Sequence, residues 1–381
     1  MTTYQSPWMD EDLEIFRTAA SRFVETEMVP YDEGWREQKY IDREFWRKAG
    51  KNGFLCTDIP DEYGGGGGDF RHEAVFFEEQ WRRGLSGLGQ GVHSIVANYL
   101  LHHGTEEQKK RWLPEMAKGQ LIAAIAMTEP GTGSDLKGIK TRAVRDGDDY
   151  VINGSKLFIT NGYVSELLAL VVCTDPGAGS KALSIVMMET RDLDGFKVGR
   201  ILNKMGQKSQ DTCELFFDDM RVPQENLLGG VEGQGFAQLM ADLPYERTQV
   251  GVQSVAMMEG AISETVDYVK QREAFGAPLF NLQNTRFRLA EAKINTQVAR
   301  VFLDHCIQNV ARGELDNATA AMCKYWTSEQ LQQVLDICLQ MHGGYGYMEE
   351  YLICRMYADA RVARIYAGTS EIMLEVVARS L

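Results

Sequence analysis

The feature that most constrains this chain is the period of its apolar residues, which changes twice along its length. Up to about residue 120 the period is helical. Leu13, Phe16, Ala20, Phe23 and Val24 recur at three- and four-residue steps between polar residues. Asp42–Asn52, Arg71–Arg83 and Glu106–Lys118 repeat the pattern. From about 121 to 235 it breaks into short apolar or alternating runs: Leu121–Met127, Tyr150–Asn153, Leu157–Ile159, Leu167–Cys173, Leu183–Met188, Phe196–Ile201 and Cys213–Phe217. Turn clusters such as EPGTGSD, RDGDD and TDPGAGS separate them. That predicts an antiparallel β-sandwich or barrel rather than βαβ units. No G-x-G-x-x-G follows a strand and opens a helix, which excludes a doubly wound nucleotide fold. From 236 the helical period returns. Val255, Ile262, Val266 and Val269 keep to one face, and Leu282–Ala311, Asp316–Met341 and Ser370–Ala378 read likewise. The expected class is α+β in three domains: 1–120 helical, 121–235 β, 236–381 helical.

Charge narrows the partners. With 54 acidic and 40 basic side chains the chain carries −14, so neither nucleic acid nor anionic lipid is expected as its main partner. The longest apolar runs fall far short of the roughly 18 residues that span a bilayer, so no stable membrane insertion is expected. The opening MTTYQSPWMDEDLEIF is acidic where a leader would be basic and apolar, which points to the cytoplasm. Seven Cys without a C-x-x-C pair read as reduced, mostly buried thiols, and with His102–His103 adjacent and the other four His isolated no metal site is expected. Gly64–Gly68, five glycines in a row, has no preceding strand and no following Lys-Ser/Thr. It reads as a loop rather than a phosphate cradle.

Seven segments stand in a telling order: AMTEPGTGSD (126–135), GIKTRA (138–143), NGSKLFITNG (153–162), KMGQKSQDT (204–212), KQREAFG (270–276), LQMHGGYGY (339–347) and IYAGTSEIM (365–373). In this order and spacing the chain resembles the acyl-CoA dehydrogenase family over nearly its whole length. It is closest in motif to the long-chain type, through QDT, the LPYER segment at 243–247 and Ala at 367. The resemblance implies a C-terminal four-helix bundle, FAD as cofactor, and α,β-dehydrogenation of a long- or branched-chain acyl-CoA to the trans-2-enoyl-CoA. It also implies electron-transfer flavoprotein as electron acceptor. A homotetramer follows as well, or at least a dimer sharing FAD sites.

That chemistry removes two unactivated hydrogens. A base takes the α-proton while flavin N5 accepts hydride from the β-carbon, so the base must be a carboxylate in a site that excludes water. Many family members carry it as Glu in IYEGT, where this chain has Ala367. Long-chain and isovaleryl-type members take it from a Glu-Arg pair at a helix start, which matches Glu246-Arg247. Taken alone, Glu246 also reads as an acidic first-turn residue favoured by the helix dipole.

The resemblance places Met127, Thr128, Ser134, Phe158, Thr160, Arg272, Gln283, Gln340, Gly343, Gly344, Thr369 and Glu371 at the flavin. Arg272 and the Gly-rich segment reach the FAD of a neighbouring subunit, where a planar guanidinium suits pyrophosphate. Ser134, Pro244, Tyr245, Arg247, Ala367 and Gly368 are placed at the substrate. Pro244 stands where medium-chain relatives have Asp. Two other readings share these residues: a flavin oxidase or monooxygenase of the same fold, and a non-catalytic acyl-CoA-binding subunit.

Overall fold

The computed structural model describes residues 4–381. Six helices come first: α1 Glu11–Glu27, α2 Asp32–Gln38, α3 Arg43–Lys51, α4 Phe70–Trp81, α5 Gln90–His103 and α6 Glu106–Ala117. α1 starts where the Asp10 carboxylate accepts from Leu13 N–H, and it buries Leu13, Ala20, Phe23 and Val24. Reciprocal caps open α4 (Asp69 with His72) and α6 (Thr105 with Gln108). The run Gly64–Gly68 folds back on residues 56–60, its N–H groups donating to the carbonyls of Cys56, Thr57, Ile59 and Pro60. A Cβ at Gly65 would stand 2.1 Å from Ile59 O, so close backbone approach explains the glycine there.

The middle region is one curled sheet of seven strands: β1 Ala123–Ala126, β2 Arg142–Asp146, β3 Asp149–Thr160, β4 Leu167–Cys173, β5 Leu183–Glu189, β6 Phe196–Ile201 and β7 Thr212–Pro223. β4 is buried along its whole length, and its two faces serve different cores. Leu167, Ala169 and Val171 pack with Val96, Tyr99, Leu100 and Trp112 of α5 and α6. Leu168, Leu170 and Val172 pack with Tyr150, Ile152, Leu215 and Phe217 of β3 and β7. The sheet therefore closes over itself on one side and rests on helices on the other. The antiparallel expectation needs amending at β4, which runs parallel to β1 and meets β2 in a parallel bridge at Arg142 and Cys173. The long connection through the β2–β3 hairpin brings the chain back in the same direction, as a parallel pair requires.

The last region holds α7 Gly235–Ala241, α8 Leu243–Gln271, the two-residue strands β8 Glu273–Ala274 and β9 Ala277–Pro278, then α9 Gln283–Ala311, α10 Asn317–His342, α11 Leu352–Ala360 and α12 Ser370–Ala378. The long α8, α9 and α10 pack on one another, and α11 and α12 lie against α10. α4 also packs on α8 and α9, so one apolar core runs through the first and third regions. Among the described residues no helix is long and apolar enough to cross a membrane. All seven cysteines are unpaired, and only Cys354 is not fully buried.

Candidate active site

Glu246 lies in the first turn of α8, 6% exposed, where that helix meets α5. Burial pushes its carboxyl up to about 7. The Tyr99 hydroxyl of α5, donating to Oε1 at 2.5 Å, pulls the other way; Asp242 raises it further and Arg247 lowers it. A carboxylate that titrates near neutrality is suited to taking a proton from a weak carbon acid. Asp242, just before the helix, is held by His102 Nδ1 at 2.7 Å and His103 Nε2 at 3.1 Å. Tyr245 sends its hydroxyl to Asp58 Oδ2 at 2.8 Å, with Asn98 on the same oxygen. Arg247 does not pair directly with Glu246. It is buried and donates to the Asn317 carbonyl and side-chain oxygens at 3.4 and 3.3 Å. Pro244 stands at the helix start, where a missing N–H costs nothing.

The turn Tyr366–Thr369 is built with positive φ at Ala367 (52°) and Gly368 (86°), and Thr369 then caps α12 through Ile372 N–H. Ala367 carries this strain without glycine's freedom. Lys324, fully buried, donates to Gly368 O at 2.6 Å, and Gln253 bonds the Tyr366 hydroxyl. Neither Lys324 nor Tyr99 is marked by any sequence motif considered above.

Met127 and Thr128 follow β1 in a loop pinned from behind. Buried Lys156 donates to Met127 O and Glu129 Oε1, both at 2.9 Å, and Glu129 accepts from the N–H groups of Lys140 and Thr141. Across from it, a register shift in β3 between Lys156 and Ile159 throws Phe158 outward at φ 62° and 62% exposure. Thr160, two residues further along β3, is half-buried, and Ser134 is exposed in the loop after Met127. A second group assembles elsewhere. Arg272, Gln340, Gly343 and Gly344 line a cleft of about 400 Å³ with Tyr268, His342 and Tyr345. Gln283 is exposed at the start of α9 and outside that lining, and Glu371 is exposed in the first turn of α12.

An uncovered aromatic ring at a bulge suits stacking against a flat ring, and a separate cleft with an Arg fork and two glycines whose Cβ positions open on empty space suits phosphates. Together with a desolvated carboxylate where two helices meet, the frame is that of a flavin-linked dehydrogenase.

Known proteins carry this to a family. Family models for the N-terminal, middle and C-terminal domains of acyl-CoA dehydrogenase match residues 10–120, 124–220 and 233–381. The chain is 46% identical over 370 residues to the mitochondrial long-chain specific acyl-CoA dehydrogenase of Rattus norvegicus, covering 97% of this chain and 86% of the relative. It is 36% identical to an NADH-dependent acryloyl-CoA reductase of Anaerotignum propionicum, over 98% of this chain and 95% of that one. The crystal structure of acyl-CoA dehydrogenase from Geobacillus kaustophilus matches with a TM-score of 0.96 at 44% identity, covering 99% of both chains. The chain belongs to the acyl-CoA dehydrogenase family, whose members use FAD to dehydrogenate acyl-CoA thioesters.

The Tyr99 contact makes a prediction about pH. For Glu246 acting as a base the ionised form is the active one, so activity is expected to rise as pH passes through about 7. Tyr99→Phe removes a hydrogen bond that favours the carboxylate, so the inflection should move to higher pH while the plateau at high pH stays within a few-fold. The kcat/KM profile of the two proteins checks this.

Proposed function

We propose that Glu246 abstracts the α-proton of a long- or branched-chain acyl-CoA in forming the trans-2-enoyl-CoA. The observation that carries the reading is a desolvated carboxylate at the head of α8 in a chain whose other candidate position, Ala367, has no acid. FAD, when bound, supplies the acceptor for the β-hydride. Tyr99 fixes one carboxylate oxygen of Glu246 and leaves the other for the proton. The packed walls of α4, α5 and α8 exclude water, which keeps the carboxylate a strong base. The Ala367 N–H, held in its strained turn by the Lys324 bond to Gly368 O, donates to the thioester oxygen as negative charge develops there. Met127, Thr128, Ser134, Phe158, Thr160, Thr369 and Glu371 serve one FAD; Pro244, Tyr245, Arg247 and Gly368 flank the acyl-CoA.

Arg272 follows the last residue of the 29-residue α8 and lies roughly 39 Å from Glu246 at about 1.5 Å rise per residue. That separation supports a shared site, in which Arg272, Gln283, Gln340, Gly343 and Gly344 of one copy reach the FAD of another. Phe287, Ile294, Val298 and Val301 form a single exposed apolar stripe on α9, a surface suited to a second copy, consistent with a homotetramer. Electron-transfer flavoprotein is the proposed acceptor. The test is an anaerobic titration with acyl-CoAs graded in length and branching, monitored by flavin bleaching. Bleaching by long or branched chains with slow reoxidation in air is the expected result. Rapid peroxide formation would make the enzyme an oxidase, and a colourless protein would leave only a binding role.

A further inference from the structure

Gln249 sits one turn beyond Glu246 on the same side of α8, roughly 4.5 Å further along the axis. It is 5% exposed, yet its Nε2 has no hydrogen-bond partner. Buried amides are seldom left this way, because an unpaired donor costs about 1–3 kcal/mol. The next amide on the stripe, Gln253, is satisfied by the Tyr366 hydroxyl. On this stripe Gln249 is left without a partner.

The facing helix shows where its side chain points. On α5, a Cβ at Gly91 would stand 3.3 Å from Gln249 Oε1 and 2.9 Å from Phe77 Cζ, so the glycine lets the Gln249 amide and the Phe77 ring pack directly against α5. Two turns along α5, Tyr99 meets Glu246. The two helices therefore flank a strip with the base at one end and the unpaired amide at the other. Between Gly91 and Tyr99, on the same side of α5, Ile95 packs against two cores but is only half-buried, so it borders open space. Phe77 and Ile95 make the walls of this strip apolar, with one unspent donor among them.

We propose that Gln249 selects the acyl chain: its Nε2–H donates to an oxygen substituent, a hydroxyl or keto group, a few carbons beyond the thioester. This rests on the reading of Glu246 as the base, which places the thioester end of the chain. A plain alkyl chain in the same position leaves the amide unpaired, and sites built around a substrate hydrogen bond discriminate strongly against analogues that lack it.

The experiment compares wild type with Gln249→Leu, and with Gln249→Met as a second, more adaptable side chain. The substrates are a straight-chain acyl-CoA and a positional series of hydroxyacyl-CoAs of the same length. Removal of an unpaired buried amide favours the folded state, so both variants should fold. In wild type, kcat/KM should favour at least one hydroxyl position by about 10–100-fold over the plain chain. Both variants should lose that preference and handle the plain chain better than wild type does. Calorimetric binding of the matching enoyl-CoAs should show the same reversal without turnover. A wild-type ratio near one at every position, or a ratio that the variants leave unchanged, overturns the proposal and assigns the amide to solvent. The substrate ratio does not depend on which group removes the α-proton. A Glu246→Gln protein that stays active would therefore defeat the base assignment while leaving the Gln249 result to stand or fall separately.

Discussion

Glu246→Gln is expected to lower kcat for acyl-CoA dehydrogenation by about 10³–10⁴-fold, the upper end of what a general base contributes, while the protein stays yellow and binds acyl-CoA. The upper end is expected because no second acid stands ready: the alternative position is Ala367, and the nearby Asp242 is engaged by two histidines. The variant should not lose stability. Glu246 titrates near 7 in the folded protein, above its ordinary 4.5, because burial disfavours the charged form. A group raised in this way stabilises the fold only where it is protonated. Its contribution is complete below about pH 4.5 and is lost as pH rises through 7. Gln has no charge to desolvate, so at pH 8 the variant should unfold at the same urea concentration as wild type or a higher one. Lost turnover with unchanged or improved stability isolates the proton transfer. Near-normal turnover would move the base elsewhere.

What the sequence made legible follows from contrast along the chain. α1 shows a clean apolar stripe because its other side is wet, and β4 stands out because seven buried residues in a row leave no polar interruption. α5 was invisible for the opposite reason. Its buried residues include Val96, Ala97, Tyr99 and Leu100 along with Gln90, His93, Ser94 and Asn98, so hydropathy does not divide its faces. That helix carries Tyr99, the partner that tunes Glu246, and no local motif reports a contact between residues 147 positions apart. For β1 the run itself is legible within Leu121–Met127, but its pairing is not, because its parallel partner lies beyond an intervening hairpin. The motifs single out Glu246, Phe158 and Arg272 as candidates. Only three dimensions show that Lys156 pins the Met127 loop, that Arg247 turns to Asn317, and that Arg272 sits a helix length from Glu246.

Arg300→Leu is the substitution expected to cost most in stability, about 3–5 kcal/mol. The guanidinium of α9 is buried between Glu78 of α4 at 2.6 Å, Glu259 of α8 at 3.0 Å and Asp304 at 3.4 Å. Glu78 and Asp304 are each 1% exposed, and Asp304 also accepts from Tyr4, Ser6 and Trp8, which ties the start of the chain to α9. Exchanging a whole buried charge cluster for well-packed apolar groups is often neutral, but removing the one cation leaves its acids desolvated with fewer partners. Arg17 and Arg82 still reach Glu78 and Glu259, so the deficit stops short of an isolated buried charge. Arg300→Lys should recover only part of the loss, since one ammonium cannot fork to three carboxylates. The pH dependence gives the sharper check. Desolvation would raise Glu259, but Arg300 and Arg82 outweigh it and hold the carboxyl below its ordinary 4.5. A depressed acid stabilises the fold above that value and loses its contribution as pH falls through its folded value. The gap between wild type and Arg300→Leu in urea midpoint should therefore be widest near neutrality and narrow below pH 4.5. A gap that stays constant into acid would place the cost in lost packing rather than in unpaired charge.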